Sequence, residues 1–97
     1  MRRPPKLDET AVDHWIVSHP GWQRAETGAL GKRYDFEDFA SALAFVVRVG
    51  CYAERHDHHP DIELGWGRAR VVWSTHDAGG VTELDLAAAE ATEKLRG

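Results

Sequence analysis

The chain alternates between two periods of hydrophobicity, and each switch marks an element. From Asp8 the apolar positions Ala11, Val12, Trp15 and Ile16 recur at helical spacing and form one stripe. Asp8 is the expected N-cap, and His19-Pro20-Gly21 stops the helix. Trp22 to Glu26 and Ala29 to Tyr34 flank Thr27-Gly28, the pattern of two strands joined by a hairpin turn. A second helix follows, with Asp35 as its expected cap and Asp38 as a carboxylate in its first turn. Phe36, Phe39, Leu43, Val46, Val47 and Gly50 keep helical spacing to about Glu54, so this is the longest helix and that stripe its expected core face. Gly50 costs about 1 kcal/mol there relative to Ala, and close packing on a neighbour is the expected reason.

After Pro60 the period drops to two. Ile62, Leu64 and Trp66 alternate with Glu63 and Gly65, Gly67-Arg68 turns the chain, and Ala69, Val71 and Trp73 alternate with Arg70 and Val72. His76-Asp77-Ala78-Gly79-Gly80 reads as a loop. Thr82-Glu83-Leu84-Asp85 has the form of a capping box, opening a last helix through Leu84, Leu86, Ala87, Ala91 and Leu95. The order α-β-β-α-β-β-α predicts an α+β fold, a two-layer sandwich of a four-stranded antiparallel sheet and three helices. Residues 7–97 form the single expected domain, and residues 1–6 a flexible leader.

Composition narrows the setting. The 97 residues are enough to bury a core without staples, and 42% hydrophobic with 29% charged residues is ordinary for a soluble domain. A net charge of -4 argues against a nucleic-acid partner or an anionic membrane, which need a concentrated basic face. Cys51 is the single cysteine and has no internal disulfide partner, which fits a reducing compartment. No apolar run approaches the roughly 20 residues of a membrane-spanning helix, and no secretory signal is recognisable. A cytoplasmic location is expected.

The chemistry concentrates in Glu54-Arg55-His56-Asp57-His58-His59-Pro60 and its echo Ser74-Thr75-His76-Asp77. Pro60 ends the helix and pushes His59 towards extended backbone, so the histidines stand at a helix-to-strand corner. Free imidazole titrates near pH 6.5, at about the pH where one group can both give and take a proton. A metal is the chemical rival, since His56, Asp57, His58, His59, His76 and Asp77 offer ligands enough for zinc. Adjacent His58 and His59 would point apart on extended chain, however, and no HxxxH or HExxH spacing is present. No metal is expected.

Taken together, Glu54-x3-His58-His59-Pro60, Trp66, His76 and Asp85 at their spacings resemble the pterin-4a-carbinolamine dehydratases. The flanking Phe36-x2-Phe39, Ala53-Glu54 and Ser74-Thr75-His76-Asp77-Ala78-Gly79-Gly80 agree, so the likeness runs from about Gly21 to Leu95. The resemblance implies dehydration of a 4a-hydroxytetrahydropterin to a quinonoid dihydropterin, which recycles the pterin of an aromatic amino acid hydroxylase. It implies that the pterin is substrate, with no further cofactor. His58 and His76 would be the proton-transfer pair and His59 a pterin-orienting ligand. Glu54, one helical turn before His58, would orient that ring and Asp85 would be a second orienter, Trp66 would stack on or wall the heterocycle, and the backbone at Ser74-Thr75 would bind its edge. Family members are homodimers or dimers of dimers, and some act as dimerisation partners of transcription factors or as assembly factors. An interaction module without catalysis is therefore the alternative function.

Plainer roles compete at several positions. Glu54 alone reads as a solvated carboxylate, and Asp85 has a local task in the capping box. Trp66 shares its expected strand face with Ile62 and Leu64, so core packing is an equal reading. Gly79-Gly80 are turn residues rather than a phosphate cradle, since no Lys or Arg follows them.

Overall fold

In the computed structural model, which describes residues 3–25 and 27–97, the helix caps explain where each helix starts. Helix α1 spans Glu9–Val17, and the Asp8 side chain accepts the Ala11 N–H at 2.9 Å. Strands β1 (Gln23–Arg24) and β2 (Leu30–Asp35) form the first hairpin, of which Glu26 lies outside the described residues. Helix α2 spans Phe39–His56 and is capped by Asp38, whose carboxylate accepts the Ser41 N–H at 2.8 Å. Asp35 is therefore not the cap. It pairs with Arg68 as the last residue of the β2–β4 ladder, and Phe36 also precedes the helix. Strands β3 (Asp61–Gly65) and β4 (Arg68–Trp73) make the second hairpin. A single 3₁₀ turn, His76–Ala78, and helix α3, Glu83–Arg96, complete the chain.

The four strands form one antiparallel sheet in the order β1-β2-β4-β3, with α2 crossing over between β2 and β3. The two long helices, α2 and α3, cover one face, giving the expected two-layer α+β sandwich. Ala69, Val71 and Trp73 of β4 are buried beneath them, as period-two alternation requires. The second turn is Trp66-Gly67 rather than Gly67-Arg68. Gly67 takes the positive φ (+69°) that the turn needs, and Trp66 leaves the strand face to stand 71% exposed.

Helix α2 is rotated from its expected packing. Ala42, Phe45, Val49 and Ala53 face the core, while Phe39, Leu43 and Val47 are 44%, 43% and 56% exposed. Gly50 also faces open space, with no atom within 4 Å of where its Cβ would stand, so close packing does not explain it. In α3 the buried positions are Asp85, Ala88, Ala89 and Thr92, and the capping box at Thr82 is formed. Alanine at positions 42, 53, 88 and 89 lets the two helices approach sheet and each other closely.

One carboxylate ties α3 to the first hairpin. Glu93 Oε1 accepts Trp22 Nε1–H at 2.9 Å, Tyr34 Oη–H at 2.9 Å and a proton of Lys32 Nζ. Burial pushes the Glu93 carboxyl up, but the three donors and the Lys32 charge outweigh it and hold the group below the usual range. Burial, followed by the Glu93 hydrogen bond and charge, pushes the Tyr34 phenol well up.

Candidate active site

The corner at the end of α2 is one residue long. Asp57 takes the left-handed conformation (φ 48°, ψ 44°) as C-cap, which aspartate tolerates better than most residues with a side chain. The reversal sends the next two imidazoles opposite ways. His58 turns inward and is 6% exposed, its ring stacked on Trp73 with centroids 5.3 Å apart and planes at 22°. Its Nε2–H donates to Asp85 Oδ1 at 2.6 Å. His59 turns outward, and its Nε2–H donates to Glu54 Oε1 at 3.0 Å. His56 lies outside the cluster, bonded through Nδ1–H to the Tyr52 carbonyl at 2.9 Å and stacked on the Tyr52 ring.

Behind His58 the hydrogen bonds form one directed chain. Thr75 Oγ1–H donates to Asp85 Oδ2 at 2.8 Å, and the Thr82 backbone N–H donates to the same oxygen at 2.8 Å. With its own proton spent on Asp85, Thr75 Oγ1 can only accept from Thr82 Oγ1–H, 2.9 Å away. Thr82 Oγ1 in turn accepts the Leu84 N–H at 3.2 Å. Asp85 is fully buried, yet every oxygen it carries has a hydrogen-bond donor, the condition for holding a carboxylate in the interior. The chain also sets the imidazole. Nε2 carries the proton given to Asp85, so Nδ1 is the unprotonated nitrogen, and no described residue bonds to it.

The second arm comes from the end of β4. Thr75 N–H donates to the Gly80 carbonyl at 2.9 Å, closing a small loop whose first residue, His76, is exposed. Between the arms lies a cavity of about 180 Å³ lined by Arg3, Asp57, His58, His59, Ser74, Thr75, His76 and Asp77. A hollow of about 320 Å³ adjoins it across Ser74, Thr75 and His76. A larger hollow of about 710 Å³ beside the Arg3–Lys6 segment has no histidine in its lining, so the chemistry belongs to the smaller cavity. Among the described residues, no three His, Cys, Asp or Glu side chains converge as a metal site.

The three expected histidines, Ser74 and Thr75 are thus brought together, and two expected roles change, those of Glu54 and Trp66. Glu54 orients His59 rather than His58, because the left-handed turn at Asp57 swings His58 away from the helix surface. Asp85 is sealed from solvent and cannot touch a substrate; it acts on His58, while its second oxygen completes the capping box. Trp66 stands in the β3–β4 turn, at the opposite end of β3 from His59, and walls no part of this cavity. Two contributors had no sequence signal. Trp73 follows the core alternation of Ala69 and Val71, and Arg3 belongs to the stretch expected to fray.

The protein is thus a small α+β sandwich with a carboxylate-bonded histidine at the wall of a polar cavity. Residues 5–95 match the family described as pterin 4 alpha carbinolamine dehydratase, and the chain belongs to that family. A relative from Rhizorhabdus wittichii, provisionally named pterin-4-alpha-carbinolamine dehydratase, is 41% identical over 96 residues, covering 98% of each chain. One from Azoarcus sp., with the same provisional name, is 39% identical over 94 residues, covering 96% of this chain and 80% of its own. Among solved structures, a transcriptional coactivator/pterin dehydratase from Brucella melitensis superposes with TM-score 0.88 at 32% identity, covering 95% of this chain and 99% of that one. A pterin dehydratase-like RuBisCO assembly factor of the alpha-carboxysome shares the fold, with TM-score 0.68 at 23% identity over 81% of this chain and 93% of its own.

Proposed function

We propose that the protein dehydrates a 4a-hydroxytetrahydropterin to the quinonoid dihydropterin, with His58 as the base. The observation that carries this reading is the buried His58–Asp85 pair at the cavity wall, 2.6 Å between Nε2 and Oδ1. A base held by a carboxylate keeps one tautomer, and the imidazolium it becomes is stabilised by the charge behind it. The reaction breaks the C4a–O bond and makes a C4a=N5 double bond. His58 Nδ1 takes the N5 proton, His76 protonates the departing hydroxyl, and the products are water and the quinonoid dihydropterin. No oxidant is consumed. His59, held by Glu54, orients the ring, and Ser74, rather than the already bonded Thr75 backbone, offers polar groups to its edge. In the cell this step recycles the pterin of an aromatic amino acid hydroxylase.

The test is the lifetime of the carbinolamine in a coupled hydroxylase assay with and without the protein. It should shorten, His76→Ala should lower kcat/KM about 100-fold, and EDTA should leave the rate unchanged. Near-wild-type turnover by His76→Ala would remove it from the mechanism, and loss with EDTA restored by zinc would point to a metal.

A second reading, an interaction module without catalysis, is favoured by the exposed stripe Phe39, Leu43 and Val47 on α2. We assign that surface to another copy of this chain. β3 is also an open sheet edge, and soluble proteins cover or blunt such edges. A homodimer, or a dimer of dimers, buries both. No described helix is long and apolar enough to cross a membrane. An unchanged carbinolamine lifetime together with a stable complex with another protein would favour the module instead.

A further inference from the structure

We propose that Arg3 is a substrate-positioning residue whose guanidinium reads an oxygen acceptor on the ring held among the histidines. This rests on the dehydratase reading above and goes beyond it. Arg3 lies in the stretch leading to α1, yet its side chain is 23% exposed and lines the same cavity as His58, His59 and His76. The stretch is tied down: Leu7 N–H donates to the Val81 carbonyl at 2.8 Å, and the Lys6 side chain lies over Gly80. Pro4 and Pro5 restrict the backbone between.

A guanidinium has five N–H donors in a fixed fork. Among the described residues Arg3 makes one hydrogen bond, from Nη2 to the Asp57 carbonyl at 2.5 Å. The nearest carboxylate oxygens, Asp57 Oδ2 at 3.8 Å from Nη2 and Asp77 Oδ2 at 4.0 Å from Nε, lie beyond hydrogen-bond reach. They balance its charge without using its donors. Among the described residues donors remain for a ligand, and no lysine or second arginine lines the cavity. Of the ring atoms that must sit near His58 and His76, C4a is bonded directly to C4, which carries the carbonyl oxygen. That oxygen is the acceptor within reach of a donor on the same wall.

The sign of the charge fixes which kinetic constant Arg3 controls. Expulsion of hydroxide builds positive charge on N5 and C4a, which a neighbouring cation does not favour. Arg3 therefore holds substrate and contributes little in the transition state, so its removal raises KM and leaves kcat nearly unchanged.

The experiment compares wild type, Arg3→Gln and Arg3→Lys in carbinolamine turnover, and in fluorescence-monitored binding of pterin and 2,4-diaminopteridine at pH 7. The second probe replaces the 4-oxo acceptor by an amino donor. KM should rise about tenfold in Arg3→Gln with kcat within about twofold, the size of one charge-assisted hydrogen bond. Wild type should prefer pterin over the diamino probe, Arg3→Gln should lose that preference, and Arg3→Lys should fall between. Active wild type with an unchanged KM and an unchanged probe preference in Arg3→Gln overturns the assignment alone. Wild type that neither binds pterin nor shortens the carbinolamine lifetime overturns the dehydratase reading, and this assignment with it.

Discussion

Asp85 holds three donors at once, His58, Thr75 and the Thr82 backbone, and this decides what its substitution does. Asparagine keeps the volume and one acceptor oxygen but puts N–H donors where the carboxylate accepted. Either the helix cap or the His58 bond must then face a donor with a donor. Asp85→Asn should lower kcat/KM about 100-fold and leave pterin binding within a few-fold, because the wrong tautomer harms proton transfer first. Circular dichroism and a stopped-flow carbinolamine assay check the two halves. A mutant at full rate would reduce Asp85 to a cap. The spacing of His58, His59, His76 and Asp85 was legible because those positions sit in the linear signature. Which carboxylate serves which imidazole was not, since it depends on a single left-handed residue at Asp57.

At the level of elements, local rules were readable and competing faces were not. The caps at Asp8 and Thr82 follow from a short polar side chain ahead of an apolar run, and both formed. Helix α2 carries two apolar stripes, Phe39-Leu43-Val47 and Ala42-Phe45-Val49-Ala53, and periodicity alone does not say which meets the sheet. The smaller residues went inward because helix and sheet approach closely there. Trp66 was misplaced by one residue of turn register, enough to move a side chain from a strand face into solvent. The Glu93 hub gives a prediction for α3. Its carboxyl is depressed in the folded chain, so the stability it contributes is present above the ordinary carboxyl pKa of 4.5 and is lost as pH falls through the lower folded value. Glu93 is partly exposed, so that contribution should be about 1 kcal/mol or less. Glu93→Gln should melt lower at pH 6, with the difference from wild type shrinking as pH drops below about 4.5. A difference constant from pH 6 to pH 3 would show that Glu93 acts through packing.

For the molecule as a whole, the question is what covers α2 and β3. Phe39, Leu43 and Val47 lie four residues apart and form a continuous ridge along one side of α2. Two such ridges crossing would bury the apolar surface each chain leaves bare, and two-fold pairing does this with one patch. Light scattering behind size exclusion at micromolar concentration should give at least twice the 10.9 kDa chain mass. The double substitution Leu43→Glu with Val47→Glu should return the assembly to the chain mass. It should leave the His58–Asp85 pair intact, since neither residue lines the cavity. A wild-type species at 10.9 kDa would leave the ridge free for a different protein.

The stack of His58 on Trp73 makes the folded site its own optical indicator. An indole in face contact with an imidazole emits differently when that imidazole gains a proton, because the cation draws on the indole π-electrons. With Trp15, Trp22 and Trp66 replaced by phenylalanine, the one remaining tryptophan, excited apart from the two tyrosines, would report the charge on the proposed base. The protonation curve of that imidazole could then be recorded in a cuvette that contains no pterin.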